Sequence, residues 1–124
     1  MHPADKLSHL HRWILKQAAA APDGLPKVRI MSDYFQLPTR PYGLYGDLYN
    51  RIVVDRQSID PATYRDAAGS MNRSLKRLQA RGLVTNRYAH HSDDRIVLTE
   101  AGQEAAAFIK ANEPEMVRWG LWKK

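Results

Sequence analysis

Residues 70–84 read SMNRSLKRLQARGLV, and residues 98–102 read LTEAG. Wound as a helix, the first stretch places Met71, Leu75 and Leu78 at i, i+4 and i+7, on one side. Turning about 100° per residue puts Arg73 and Ala80 nearly opposite that side, flanked by Asn72, Lys76 and Arg77. One face is therefore apolar. The other presents guanidinium, ammonium and amide groups with little bulk between them. Gly82 stands where a left-handed C-cap residue is expected, so the helix predicted over 70–81 ends there.

Downstream, residues 84–89 and 95–98 carry the β-prone pattern of two strands, joined by the polar tip His90, His91, Ser92, Asp93 and Asp94. Thr99 then caps a closing helix, with Glu100 in its first turn, where the helix dipole favours an anion. Ala101, Ala105, Phe108 and Ile109 form its expected inner stripe. Residues 112–124, with Pro114, Trp119 and Trp122, read as a short added helix or tail.

This order of parts resembles the winged helix-turn-helix superfamily, most nearly the bacterial and archaeal transcriptional regulators of the MarR and PadR kind. The matching residues are 70–78, then Arg81-Gly82-Leu83-Val84, then Leu98-Thr99-Glu100-Ala101-Gly102. In those families a recognition helix ends in a Leu-x-x-x-Gly-Leu-Val turn. A wing of some ten to fifteen residues follows, and Leu-Thr-x-x-Gly opens the next helix. The resemblance covers roughly residues 67–110. It implies an α+β, mostly helical fold: a winged helix-turn-helix domain with a two-stranded wing. It also implies DNA contact from Ser70, Asn72, Arg73 and Lys76 on the recognition helix. Arg87, the hairpin tip 90–94 and Arg95 match the wing. Two departures stand out. Some thirty residues separate Phe35 from Ala67, where the family has a few, so an insertion precedes the recognition helix. Asp93 and Asp94 at the wing tip would be repelled by phosphates, which moves the expected wing contacts to Arg87 and Arg95. Arg77, with Arg81, lies off the outermost face and can pair with Glu100 or Glu104, touch phosphates or read bases.

Charge agrees with a polyanionic partner. The 124 residues hold 19 Lys/Arg against 13 Asp/Glu. The excess is concentrated in residues 71–96, where Arg73, Lys76, Arg77, Arg81, Arg87 and Arg95 face only Asp93 and Asp94.

The rest of the chain is expected to build the support. Residues 5–20 predict a first helix with Leu7, Leu10, Ile14 and Ala18 on its stripe, His11 and Leu15 at the edges, and Pro22-Asp23-Gly24 as its stop. Residues 27–30 alternate polar and apolar, as a short strand would. Ser32 or Asp33 is expected to cap a second short helix through Tyr34 and Phe35. Residues 36–66 are expected to be an ordered insertion or long loop holding a short strand or helix, with Pro38, Pro41, Gly43 and Gly46, three tyrosines (Tyr42, Tyr45, Tyr49) suited to covering the core, and the β-prone Ile52, Val53 and Val54. Asp60-Pro61 is a helix start. The helix it opens either runs to Arg81 or breaks near Gly69 and Ser70. The expected organisation is one domain over 1–124: first helix, strand and second helix to 35, insertion 36–66, recognition helix 67–82, wing 83–98, and closing helix and tail 99–124.

The composition, 44% apolar and 26% charged, is that of a globular protein. No apolar run spans a bilayer, the N-terminus lacks a signal-peptide pattern, and there is no cysteine, all of which suits the cytoplasm. His90-His91 alternate across a strand and His9 and His11 diverge on a helix, so neither pair is a good chelate and no metal site is expected. No phosphate loop, nucleophile elbow or paired carboxylate appears, so neither an enzyme nor a cofactor is expected. Trp119 and Trp122 suit a homodimer contact or packing on the first helix. The resulting expectation is a sequence-specific regulator of double-stranded DNA, a repressor working as a homodimer, with any effector ligand unspecified. The alternative is a winged-helix module for protein interaction or non-specific nucleic-acid assembly.

Overall fold

The computed structural model describes residues 7–41, 52–88 and 94–118. The first helix, α1 (His9–Ala19), starts at Ser8, whose hydroxyl accepts from the His11 amide at 3.2 Å. In return the His11 ring accepts the Ser8 amide at 3.4 Å. This reciprocal cap satisfies two amides that a helix N-terminus leaves open. Leu10, Ile14 and Ala18 are buried as their spacing predicts, and so are His11 and Leu15 at the stripe's edges; Leu7 is buried too, but it precedes the helix, which begins at His9 and not at residue 5. Asp5, in the expected first turn, lies outside the described residues.

The strand expected over 27–30 is displaced. β1 is only Leu25–Pro26, and helix begins at once with α2 (Lys27–Arg29), which continues into a single π turn, Ile30–Tyr34. Alternation over four residues is too short to separate a strand from one helical turn. Burial of the adjacent Ile30 and Met31 on the core is satisfied by helix, whereas a strand would turn one of them outward. Neither Ser32 nor Asp33 is a cap. The Ser32 hydroxyl donates to Asp33 at 3.0 Å inside the π turn. Gln36, at φ 57°, turns the chain out of it.

The insertion holds more structure than a loop. β2 (Thr39–Pro41) and β3 (Ile52–Val54) pair antiparallel, with Thr39 opposite Val54, and a 3₁₀ turn, Arg56–Ser58, follows. Val54, Ile59 and Tyr64 pack against the core. Tyr42, Tyr45 and Tyr49 lie outside the described residues. Residues 61–66 do not belong to the insertion: α3 (Pro61–Ala80) is one unbroken helix through Gly69 and Ser70. Its start is fixed by Asp60, whose carboxylate accepts the Thr63 amide at 3.2 Å, with Pro61 in the first turn.

β4 (Val84–Tyr88) and β5 (Asp94–Leu98) form an antiparallel pair, with Val84 opposite Leu98. β1 joins the far side of β5, giving the order β1-β5-β4. The closing helix α4 (Glu100–Arg118) packs back on α1 and takes in residues 112–118 of the expected tail. Trp119 and Trp122 lie outside the described residues. Ile14, Leu15, Ile30, Leu78, Ile96 and Ile109 are fully buried where helices and sheet meet. The inner face of α4 is rotated from the one expected. Ala105 and Ile109 are buried, but Ala101 is exposed, Phe108 is only half-buried, and Ala106 and Gly102 face inward instead. The chain is thus a mixed α+β fold, mostly helical. Among the described residues no helix is long and apolar enough to cross a membrane.

Candidate nucleic-acid interface

The two motifs that opened the sequence meet at the end of α3. The Gly82 amide donates to the Gln79 carbonyl at 2.9 Å and the Leu83 amide to the Leu78 carbonyl at 3.0 Å. With Gly82 at φ 72°, this is the Schellman arrangement, and the buried pair Leu78 and Leu83 supplies its apolar contact. The LTEAG segment then closes on the turn. The Thr99 hydroxyl donates to the Gly82 carbonyl and accepts the Gly102 amide at 3.0 Å. The Thr99 amide donates to the Leu83 carbonyl at 3.1 Å. Gly102 lies so close to that carbonyl that a Cβ built on it would stand 1.9 Å from the oxygen. The spacing of Gly-Leu-Val and Leu-Thr-x-x-Gly is therefore a clasp holding the start of α4 against the end of α3.

Burial shows which face of α3 turns outward. Ala67, Met71, Ser74, Leu75 and Leu78 are buried. Asn72, Arg73, Lys76 and Arg77 are exposed, while Ser70 is half-buried at the margin. Gly69 lies beneath Arg73: a Cβ there would sit 3.1 Å from the Arg73 guanidinium. Among the described residues none of Arg73, Lys76 and Arg77 is held in an ion pair. Four Lys/Arg on α3 (Arg65, Arg73, Lys76, Arg77) face a single acid, Asp66. Gln79 donates to Asn86 at 3.0 Å, tying the helix to β4.

The charges of Arg77 and Arg81 bear on α1. Burial holds the His11 imidazole below its ordinary value, and the nearby guanidinium groups of Arg81 and Arg77 push the same way. His9 points elsewhere: its Nδ1 is 3.0 Å from the Tyr34 hydroxyl. Tyr34 also meets Trp13 and Phe35 edge-on, at 5.3 and 5.1 Å between ring centroids.

Arg87 and Arg95 stand directly opposite each other in the β4–β5 register. Arg95 is half-buried and lies across Gly24, where a Cβ would come 2.7 Å from its own. His90, His91, Ser92 and Asp93 lie outside the described residues.

Two features had no clear signal in the sequence. Arg12 is 1% exposed, its guanidinium donating to the Leu7 carbonyl at 3.0 Å. It lies well off the apolar stripe of α1, so only enclosure of that helix by its neighbours buries it. Arg65 lies ahead of the recognition helix expected from residue 67, and continuing the helical phase backwards from Asn72 finds it. Comparison with protein-family models, with curated proteins and with solved structures finds no match.

Proposed function

We propose that this protein is a sequence-specific regulator of transcription of the winged helix-turn-helix kind, which binds duplex DNA with α3 in the major groove and acts as a repressor. One observation carries the reading: the exposed side of α3 presents Asn72, Arg73, Lys76 and Arg77 together, unpaired among the described residues, on a helix braced from behind. Arginine and lysine match the acceptors of guanine and of phosphate, and asparagine matches the donor–acceptor pair of adenine. Ala80, exposed on the same side, leaves room for close approach. The parts the reading calls for follow in order, with a hairpin after α3 and a closing helix clasped to its end. The wing contributes less, through Arg87 and Arg95 at the strand level. Such a regulator works in the cytoplasm as a homodimer on a two-fold site, with no cofactor.

Fluorescence anisotropy tests this directly. A labelled duplex from the region upstream of the gene and a random duplex are titrated at several salt concentrations. The regulator prefers its site by ~10³ or more and loses affinity as salt rises. Equal, salt-sensitive binding to both would replace it with a non-specific assembly module. No binding to either at low salt would refute nucleic-acid binding altogether.

A further inference from the structure

The insertion has a consequence for the helix that follows it. Because α3 starts at Pro61, it is 20 residues and so about 30 Å long, with two extra turns ahead of the face just described. Arg65 is the cationic residue of those turns, and it is exposed. At about 100° per residue, Arg65 lies within some 20° of both Asn72 and Lys76, on one line along the outer face. Gly69 fills the position between them. Asp66, the only acid on the helix, lies about 100° round from Arg65.

The extra turns are held rigid. Asp60 caps them, Tyr64 packs on the core, and Arg56 from the 3₁₀ turn stacks over the Tyr64 ring at 4.2 Å. Arg65 is therefore presented by a fixed element, and among the described residues it has no ion-pair partner.

Distance decides what it meets. Arg65 precedes Lys76 by eleven residues, about 16 Å along the axis, whereas the major groove is only about 12 Å wide. A straight helix with residues 72–77 at the base edges leaves the groove floor before it reaches residue 65. What comes level there is the phosphate backbone at the groove edge. Resting on the DNA-binding reading above, we propose that Arg65 is a phosphate contact that clamps the duplex independently of sequence. It takes the positioning role that an acidic wing tip fills poorly.

The test is anisotropy titration of wild type, Arg65→Ala, Arg65→Lys and Arg73→Ala on a random duplex and on a duplex selected by the wild type. Circular dichroism confirms that each variant is folded. Loss of one phosphate contact lowers the slope of log K against log salt by about 0.9, so the wild-type advantage over Arg65→Ala shrinks about 3.5-fold between about 50 and 200 mM salt. Both duplexes should be affected alike, and Arg65→Lys should keep the wild-type slope. An unchanged slope in Arg65→Ala, with wild type binding normally, would overturn the assignment while leaving the DNA reading intact. So would a change confined to the selected duplex, which would make Arg65 a base contact. Absence of binding by the wild type itself would refute both.

Discussion

Replacing Gly102 by alanine tests the clasp most sharply, because two effects predict opposite signs. In an ordinary helix glycine is worse than alanine by about 1 kcal/mol, so the exchange should stabilise. At Gly102 the new methyl carbon would stand 1.9 Å from the Leu83 oxygen and 3.0 Å from its carbon. Carbon–oxygen contacts normally begin near about 3.3 Å. The obstacle is backbone and has no rotamer to escape into. Either α4 withdraws or the turn after α3 opens. Withdrawal disrupts the bonds of Thr99 to Leu83 and to Gly82, each with a net value of about 0.5–1.5 kcal/mol. Repacking the buried side chains around Leu83 and Leu98 costs about a further 1–3 kcal/mol. After crediting the propensity gain, the net loss is about 1–5 kcal/mol. For a chain of this size that lowers the melting temperature by roughly 4–20 °C. Thermal and urea unfolding followed by circular dichroism read it out. A Gly102→Ala protein as stable as wild type, or more so, would refute the clasp.

Further expectations follow from the same geometry. Gly82→Ala meets no atom within 4 Å, so its cost is conformational alone, about 1 kcal/mol from φ 72°, and Gly82→Asn should cost less in the same urea titration. His11 is held neutral by burial and by Arg81 and Arg77, so its folded pKa lies below 6.5. The unfolded chain then takes up that proton first, and stability, complete above about pH 6.5, declines as pH falls below it. His11→Gln keeps a capping side chain without a titration; urea midpoints between about pH 7.5 and 5.5 should fall less than in wild type, and equal falls would exclude His11 as the cause.

What could be read from the sequence was short-range. Met71, Leu75 and Leu78 set the buried side of α3 because spacing alone determines which residues share a helix face. Gly82 and Thr99 could be placed because a left-handed C-cap and a helix N-cap each demand a particular chemistry. The errors have tertiary causes. Lys27 to Ile30 alternated like a strand, but the core needed two adjacent apolar residues, Ile30 and Met31, which only helix delivers. The phase of α4 was misjudged at Ala101 because the contact of Gly102 with Leu83, far away in sequence, sets the rotation of that helix. Arg12 is buried by enclosure and not by its own periodicity. The outer face of α3 shows a boundary error: the expected recognition helix starts at residue 67, which leaves Arg65 in the insertion, whereas the helix opened by Asp60-Pro61 runs unbroken through Gly69 and Ser70.

The central claim is that the exposed face of α3 reads base edges, and Arg73 is its most direct probe. Wild type is used to select preferred sites from a random duplex pool, and Arg73→Ala is then titrated on the selected duplex and on a random one. The variant should lose about 1–3 kcal/mol on the selected duplex, roughly 5- to 150-fold, while binding the random duplex much as wild type does. A pool that yields no preferred site, or an Arg73→Ala protein that binds the selected duplex as tightly as wild type, would contradict it.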